Sequence, residues 1–380
     1  MRMQSESGLW VVGRVDDETP VVAVLEVSGA VLSWTVDTAG PPQIAFTALD
    51  QADWLWRVIG ETGHVAVMNA IGETGGATNR TVEVDGVEIL PGTLDTARRL
   101  AVGHWLRRWW PAGTREGIGS LDHAVLDAEI ALLTVAAEDL FTDITFDSEV
   151  GSLLAPHAAA YLWHLRSGDR RVVDLVRRAV ELAVEVGAGE EQDSDLWMEL
   201  AAMQHDSSVD GVPEGSRQDD YSLAAGDGRT ADATAIGRGS ASIKWGGVPP
   251  RIFDAGENTA TWTIPRPAAG SGVVAIVRTA VTGDVDPSGI EVSLRSGAIV
   301  GAAALDRDGT ARVDLTSAGA SVTETDLWDH NWSDTVLTVG VPVTESTAIR
   351  HRVRAFARGR VAAPPPDAFL AEILLGESDY

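Results

Sequence analysis

Cysteine is absent from the 380-residue chain, which excludes disulfides, thiolate metal sites and cysteine nucleophiles together. Lysine is almost absent as well. Lys244 is the lone lysine among 29 basic residues, a bias of GC-rich bacterial genomes and not a functional signal. Tyrosine (three) and phenylalanine (six) are sparse beside thirteen tryptophans, so aromatic burial rests mainly on indole rings. No segment approaches the roughly 18 uninterrupted apolar residues of a membrane helix, and Met1–Gly8 carries no apolar run of the secretion-signal kind. The expectation is a cytoplasmic protein without membrane association.

Positive charge is also scarce. With 56 acidic residues the net charge is −27, which repels phosphate backbones and anionic lipid. Nucleic acid is therefore disfavoured, and the expected partner is another protein, met through an acidic surface. The 44% hydrophobic and 22% charged fractions are those of chains that bury cores, and the length predicts more than one of them.

The pattern along the chain predicts a multidomain α+β protein. Residues 8–117 read as an α+β part: short Val- and Trp-rich runs (Leu9–Val12, Val21–Val27, Ala30–Val36, Gln43–Thr47) separated by Asp, Gly and Pro have the punctuation of strands and tight turns. Leu49–Ile59 reads as a short helix, Val65–Met68 and Thr81–Ile89 as further strand, and Thr93–Trp110 as an amphipathic helix with Trp105 and Trp109 toward the core. Residues 118–187 predict a small helical bundle able to pack on the first part: Leu121–Phe141, Glu149–Arg166 and Arg170–Val186, with Ser120, Ser148 and Asp169 as N-caps.

Residues 188–239 form an expected acidic flexible linker. Ala188–Ala235 holds twelve acidic residues against Arg217 and Arg229, too few large apolar groups to offset chain entropy, and one short helix near Asp195–His205. Residues 240–362 then give β signals at regular spacing, from Ala241–Lys244 to Ala348–Ala357, predicting an antiparallel β-sandwich. Asp306-Arg307-Asp308-Gly309 is its clearest predicted hairpin turn. Residues 363–380 are a Pro-rich tail with a short helix.

Motifs for chemistry are few. There is no Gly-x-Ser-x-Gly elbow, and Gly72–Ala77 lacks the lysine of a phosphate-binding loop. His123 and Asp127 stand four apart on one predicted helix, His157 and His164 seven apart on another, so one helical face each could offer metal ligands. The Glu-x-x-His pattern of di-iron bundles is missing, and no metal or cofactor is expected. Two surfaces stand out. Arg350, Arg352, Arg354, Arg358 and Arg360 share one parity of the predicted last strand, opposite Val353, Ala355 and Ala357, which predicts an outward arginine ladder suited to an acidic partner. The segment Leu327–Ser333 places Trp328, His330 and Trp332 in one loop, an aromatic and polar set of the kind that anchors a partner or stacks on a sugar.

With no catalytic motif, the sequence favours a non-enzymatic interaction, regulatory or adaptor protein of the bacterial cytosol whose C-terminal sandwich docks a partner. The alternatives are a small-ligand or carbohydrate-binding sandwich, and a metal-assisted hydrolase with its site in the N-terminal helical part.

Overall fold

The structure, a computed structural model, describes residues 1–6, 8–74, 80–141, 146–188, 193–205, 235–266, 272–282 and 285–378. Most of the expected acidic linker, residues 189–192 and 206–234, lies outside the described residues, as do 75–77 of the glycine-rich stretch. The chain is α+β, with antiparallel sheets in both its N- and C-terminal parts, and it divides into two compact units. The first is Met1–Trp110, Leu121–Gly215 and Arg358–Tyr380; the second is Pro111–Ser120 and Ser216–Ala357. No described helix is long and apolar enough to cross a membrane.

In the first unit the strands β1 (Arg2–Glu6), β2 (Leu9–Val12), β3 (Val22–Val27), β4 (Ala30–Thr35) and β5 (Gln43–Phe46) are followed by α1 (Leu55–Ile59), α2 (Glu61–Thr74) and β6 (Thr81–Glu83). They make one antiparallel sheet of order β3-β4-β5-β2-β1-β6. Alternation in β4 and β5 buries Ala30, Leu32, Trp34, Ile44 and Phe46, as period-2 geometry requires of a sheet covered on one face. α3 (Asp95–Trp109) packs on β3 with Trp105 fully inside, while Trp109 is half-buried under the Arg108 guanidinium, 4.1 Å from its ring centre. The helices α4 (His123–Phe141), α5 (Phe146–Leu154), α6 (Ala158–Ser167), α7 (Arg170–Glu185) and α8 (Ser194–His205) complete it.

Several local readings change. Val65–Met68 lies inside α2, with Val67 buried and Val65 exposed; a four-residue apolar run does not distinguish strand from helix, and tertiary packing decided it. The strand Thr81–Ile89 ends at Glu83. The single helix expected over Glu149–Arg166 is two, broken by a 3₁₀ turn at Ala155–His157, where Pro156 has no N–H for an α-helical bond. α4 is capped by Asp122 and not Ser120: its Oδ1 accepts the Val125 N–H at 3.1 Å. Asp169 caps α7 as expected, accepting the Arg171 N–H at 2.7 Å.

The second unit contains β7 (Gly237–Ala241), β8 (Ala260–Ile264), β9 (Val274–Thr279), β10 (Glu291–Ser296), β11 (Ile299–Ala304), β12 (Thr310–Asp314), β13 (Thr316–Ser317), β14 (Ala320–Ser321), α9 (Glu324–Asp329) and β15 (Val336–Val339). They form a five-stranded sheet, β14-β13-β11-β10-β15, and a four-stranded sheet, β12-β9-β8-β7. Inward residues of both sheets, Val292, Leu294, Leu337 and Val339 from one and Trp262, Ala275, Val277 and Val313 from the other, belong to a single buried cluster. The Asp306–Gly309 turn is tight, with Asp306 Oδ1 accepting the N–H groups of Asp308 and Thr310 at 3.0 and 2.8 Å. It joins β11 to β12, which lie in different sheets, so it is a corner between sheets and not a hairpin.

Last come α10 (Thr347–Ala362), where the final sandwich strand was expected, and α11 (Leu370–Ser378). The chain passes along α10 from the second unit into the first.

One turn shows how tightly the first sheet is tied. Gly29, between β3 and β4, has φ +72°, and a Cβ there would stand 2.3 Å from the Ala48 carbonyl oxygen and 2.8 Å from the Ala52 nitrogen. Its own carbonyl accepts the N–H groups of Thr47 and Ala48, and Trp54 Nε1 donates to Ser28 O at 2.7 Å. Gly29→Ala is expected to destabilise the protein by about 2–4 kcal/mol, from left-handed strain plus backbone overlap, read as a lower urea midpoint at unchanged slope.

Candidate functional site

α10 starts behind Ser346, whose Oγ accepts the Ile349 N–H at 3.2 Å, an N-cap in a stretch rich in helix-forming Arg and Ala. Arg350, Val353, Arg354, Ala357 and Arg360 are its buried residues. Steps of three and four residues put them on one helical face. The expected strand with an outward arginine ladder is thereby corrected: the common parity of the arginines coincides with a helical stripe in which arginine occupies inward positions. Arg350 and Arg354 are buried, Arg352 is half-buried and Arg358 exposed.

The two buried guanidiniums of the second unit meet a set of carboxylates. Arg354 has no exposed surface. Its Nη1 donates to Ala255 O at 2.8 Å and its Nη2 to Glu257 Oε1 at 2.7 Å, and its Cζ lies 5.7 Å from the centre of the Trp245 ring. Arg350 forks the same carboxylate, Nε to Oε1 at 3.0 Å and Nη2 to Oε2 at 2.8 Å, and reaches Glu345 with Nη1 at 3.3 Å. Glu345 in turn accepts the backbone N–H groups of Trp245 and Gly246 at 3.3 and 3.1 Å. Burial pushes the Glu257 carboxyl up, but the hydrogen bonds from Arg350, Ser242 and Arg354 outweigh it and hold the group at about 2. Beside it, Asp254 accepts from the Thr114 hydroxyl at 3.0 Å and from Gly256 N–H at 2.8 Å, fastening the segment 111–120. These carboxylates were not singled out in the sequence. About 90 residues separate Glu257 from the arginines, and no local spacing announces the pairing.

Of the aromatic set, α9 is locked by a reciprocal capping box between Thr323 and Asp326, which leaves Trp328 55% exposed. Trp332 faces inward. Its ring centre is 6.0 Å from that of Trp262 and 4.6 Å from that of His330, edge-on, and its Nε1 donates to Leu327 O at 3.1 Å. His330 Nε2 is 2.7 Å from the hydroxyl of the buried Ser296, which Thr335 also reaches at 3.0 Å. The structure therefore gathers His330 and Trp332 into one anchored cluster and sets Trp328 outward from a fixed helix.

In the first unit the histidines form two pairs. His157 Nε2 lies 2.8 Å from Asp127 Oδ2, and Arg107 Nε stands 3.0 Å from Asp127 Oδ1; Asp127 is 1% exposed. His164 Nε2 is 2.9 Å from Asp122 Oδ2. The four candidate ligands His123, Asp127, His157 and His164 thus do not assemble as one set, and among the described residues no group of three His, Asp or Glu side chains is placed to hold a metal ion. His157 packs beside Tyr161, 5.8 Å between ring centres. Burial, followed by the charges of Asp127 and Asp122, raises the Tyr161 phenol well above its ordinary value, so it stays neutral. Burial lowers His104, a direction that Arg107 reinforces and Glu149 opposes. The Asp127 carboxylate orients an imidazole, yet no described hydroxyl hydrogen-bonds to it as a nucleophile would, and the pair ties α4 to the start of α6.

Two outcomes are expected of these clusters. Glu257 is depressed in the folded state, so its contribution is complete above the unfolded carboxyl value and is lost as pH falls from about 4.5 toward 2. Glu257→Gln should cost about 1–2 kcal/mol at neutral pH, discounted for the partial exposure of the carboxylate, and the gap from the parent should close over that acid range, as equilibrium unfolding at stepped pH will show. Asp127→Ala should cost about 1–3 kcal/mol by leaving the His157 ring nitrogen without its hydrogen-bond partner and the partly exposed Arg107 guanidinium without its neighbour, measured by thermal and urea unfolding. Compared with known proteins, the chain matches no family model, no curated protein and no solved structure.

Proposed function

We propose that this chain is a non-enzymatic interaction protein of the bacterial cytosol, an adaptor or regulator whose second unit docks another protein. In this reading the two C-terminal sheets form a β-sandwich and α9 with the following loop is its contact surface. The supporting observation is Trp328, 55% exposed on a short helix whose N-terminus is fixed by a capping box. A large aromatic held in place loses little freedom on binding, which is the property of interface hot spots. The exposed Val336 at the start of β15, an edge strand of its sheet, adds apolar surface in the same segment. Arg350 and Arg354 drop out of this surface because they are buried among Glu257 and Glu345, and Arg358 belongs to the first unit.

Carbohydrate binding is the second reading, favoured by the same exposed indole. It rests on Trp328 alone, because Trp332 is committed to Trp262, His330 and Leu327. A metal-assisted hydrolase is not carried forward, since three of its four residues are divided between two separate pairs, His157–Asp127 and His164–Asp122, and no described group of three side chains is placed to hold a metal.

Tagged full-length protein recovered from its host should retain a bound protein. Trp328→Ala should weaken that complex by roughly 30-fold or more, the scale of a hot-spot loss, while Met198→Ala, an exposed residue of the first unit, leaves it unchanged. Equal affinity of the Trp328→Ala protein would count against docking through α9. Saturable quenching of tryptophan fluorescence by simple glycans, abolished by the same substitution, would favour the carbohydrate reading instead.

A further inference from the structure

The first unit contains a cleft of about 550 Å³ lined by Asp95, Thr96, Arg98, Arg99, Leu133, Pro366 and Asp367, a size usual for small-molecule sites. Paired charges hold the residues that line it. Arg99 is spent: it pairs with Glu129, donates to the carbonyls of Asp367 and Ala368 at 3.4 and 3.3 Å, and lies 5.1 Å from the centre of the Phe369 ring. Arg360 forks Glu372 at 2.6 and 2.7 Å and reaches Asp367 Oδ1 at 3.2 Å. Glu372 also accepts the Phe369 N–H, and Glu129 the Leu370 N–H, both at 2.8 Å. The main chain at 367–370 is therefore held firmly.

Arg98 differs from its neighbour. Its Nη1 stands 3.7 Å from Asp367 Oδ2, beyond hydrogen-bonding reach, and its Nε has no acceptor among the described residues. The Nε is buried and the side chain is 28% exposed, so a guanidinium held only by a long ion pair to Asp367 lines the cleft. Asp95, an exposed carboxylate, and the exposed Thr96 share the lining with it. Leu133 and Pro366 supply the apolar part of the wall.

We propose that this cleft binds a small zwitterion, an amino acid with an aliphatic side chain. Its carboxylate pairs with the Arg98 guanidinium, whose planar fork suits that group. Its ammonium is taken by Asp95, and its side chain lies against Leu133 and Pro366. A simple anion is disfavoured by the carboxylates of Asp95 and Asp367, and a simple cation by Arg98. Such a site goes beyond the docking reading and does not depend on it: it makes the first unit a small-molecule sensor.

The test is calorimetric titration of the full chain with L-leucine, with 4-methylpentanoate, which lacks the amine, and with 3-methylbutylamine, which lacks the carboxylate. Leucine should bind saturably, and each one-charge probe at least about ten-fold more weakly, as loss of one charge-assisted contact implies. Arg98→Gln should weaken leucine by a similar factor while its thermal unfolding stays that of the parent. Asp95→Asn provides a second variant on an exposed position, with the same expected loss. Absence of leucine binding, equal binding of 4-methylpentanoate, or unchanged affinity in both variants would each overturn the proposal.

Discussion

The second unit depends on a charge that has been taken out of water. Arg354 has no exposed surface, and removing a guanidinium from solvent is tolerable only when its donors are met by well-placed acceptors. Its two terminal nitrogens meet acceptors from elsewhere in the chain, the Ala255 carbonyl and the Glu257 carboxylate, with Glu257 shared by Arg350, while its Nε has no hydrogen-bond acceptor among the described residues and stands 4.0 Å from Glu116 Oε2. Through Arg350 the network extends to Glu345, and through Glu345 to the backbone at Trp245 and Gly246. A loop after β7, the segment before β8 and the start of α10 thus meet at one carboxylate. Such a cluster adds little net stability over an apolar equivalent, but losing any member strands a buried charge.

The same economy of charge recurs in the first unit. Asp127 sits between Arg107 and His157, Glu372 is forked by Arg360, and Glu129 holds Arg99. In a chain with 56 acidic and 29 basic residues, many arginines are committed to internal carboxylates, and the surface is left to the acidic excess. In the proposed docking reading, exposed apolar groups on fixed scaffolds, Trp328 on α9 foremost, would engage a partner without opposing that field.

The failures of sequence reading share one cause. Val65–Met68 is too short a run for its period to separate helix from strand, and α2 absorbs it. In α10 the arginines read as solvent-facing because arginine is seldom buried unless paired, and the carboxylate shared by Arg350 and Arg354, Glu257, lies over 90 residues away, where no local pattern points. Treating Arg350, Arg354 and Arg360 as inward residues would have shown the helical period with Val353 and Ala357, and Ser346 as its cap. The histidines of the bundle misled in the opposite direction, since helical spacing brings side chains to one face without saying which carboxylate each will meet.

By itself the sequence determined what local physics encodes: the α+β composition, the helices α3, α4 and α7, most of the strands of the three described sheets, the tight turn at Asp306–Gly309, and the exclusion of cysteine chemistry. Turn residues and apolar periodicity act over a few residues and survive in any context. Tertiary structure alone decided which charges are buried, that the last predicted strand is a helix, that His157 and His164 take different aspartates, and that Arg99 is committed to Glu129 and the carbonyls of Asp367 and Ala368 while Arg98 holds only a long ion pair. Those outcomes depend on which distant acceptor reaches a given donor, and the desolvation cost of a charge is set by that partner and not by the residue that carries it.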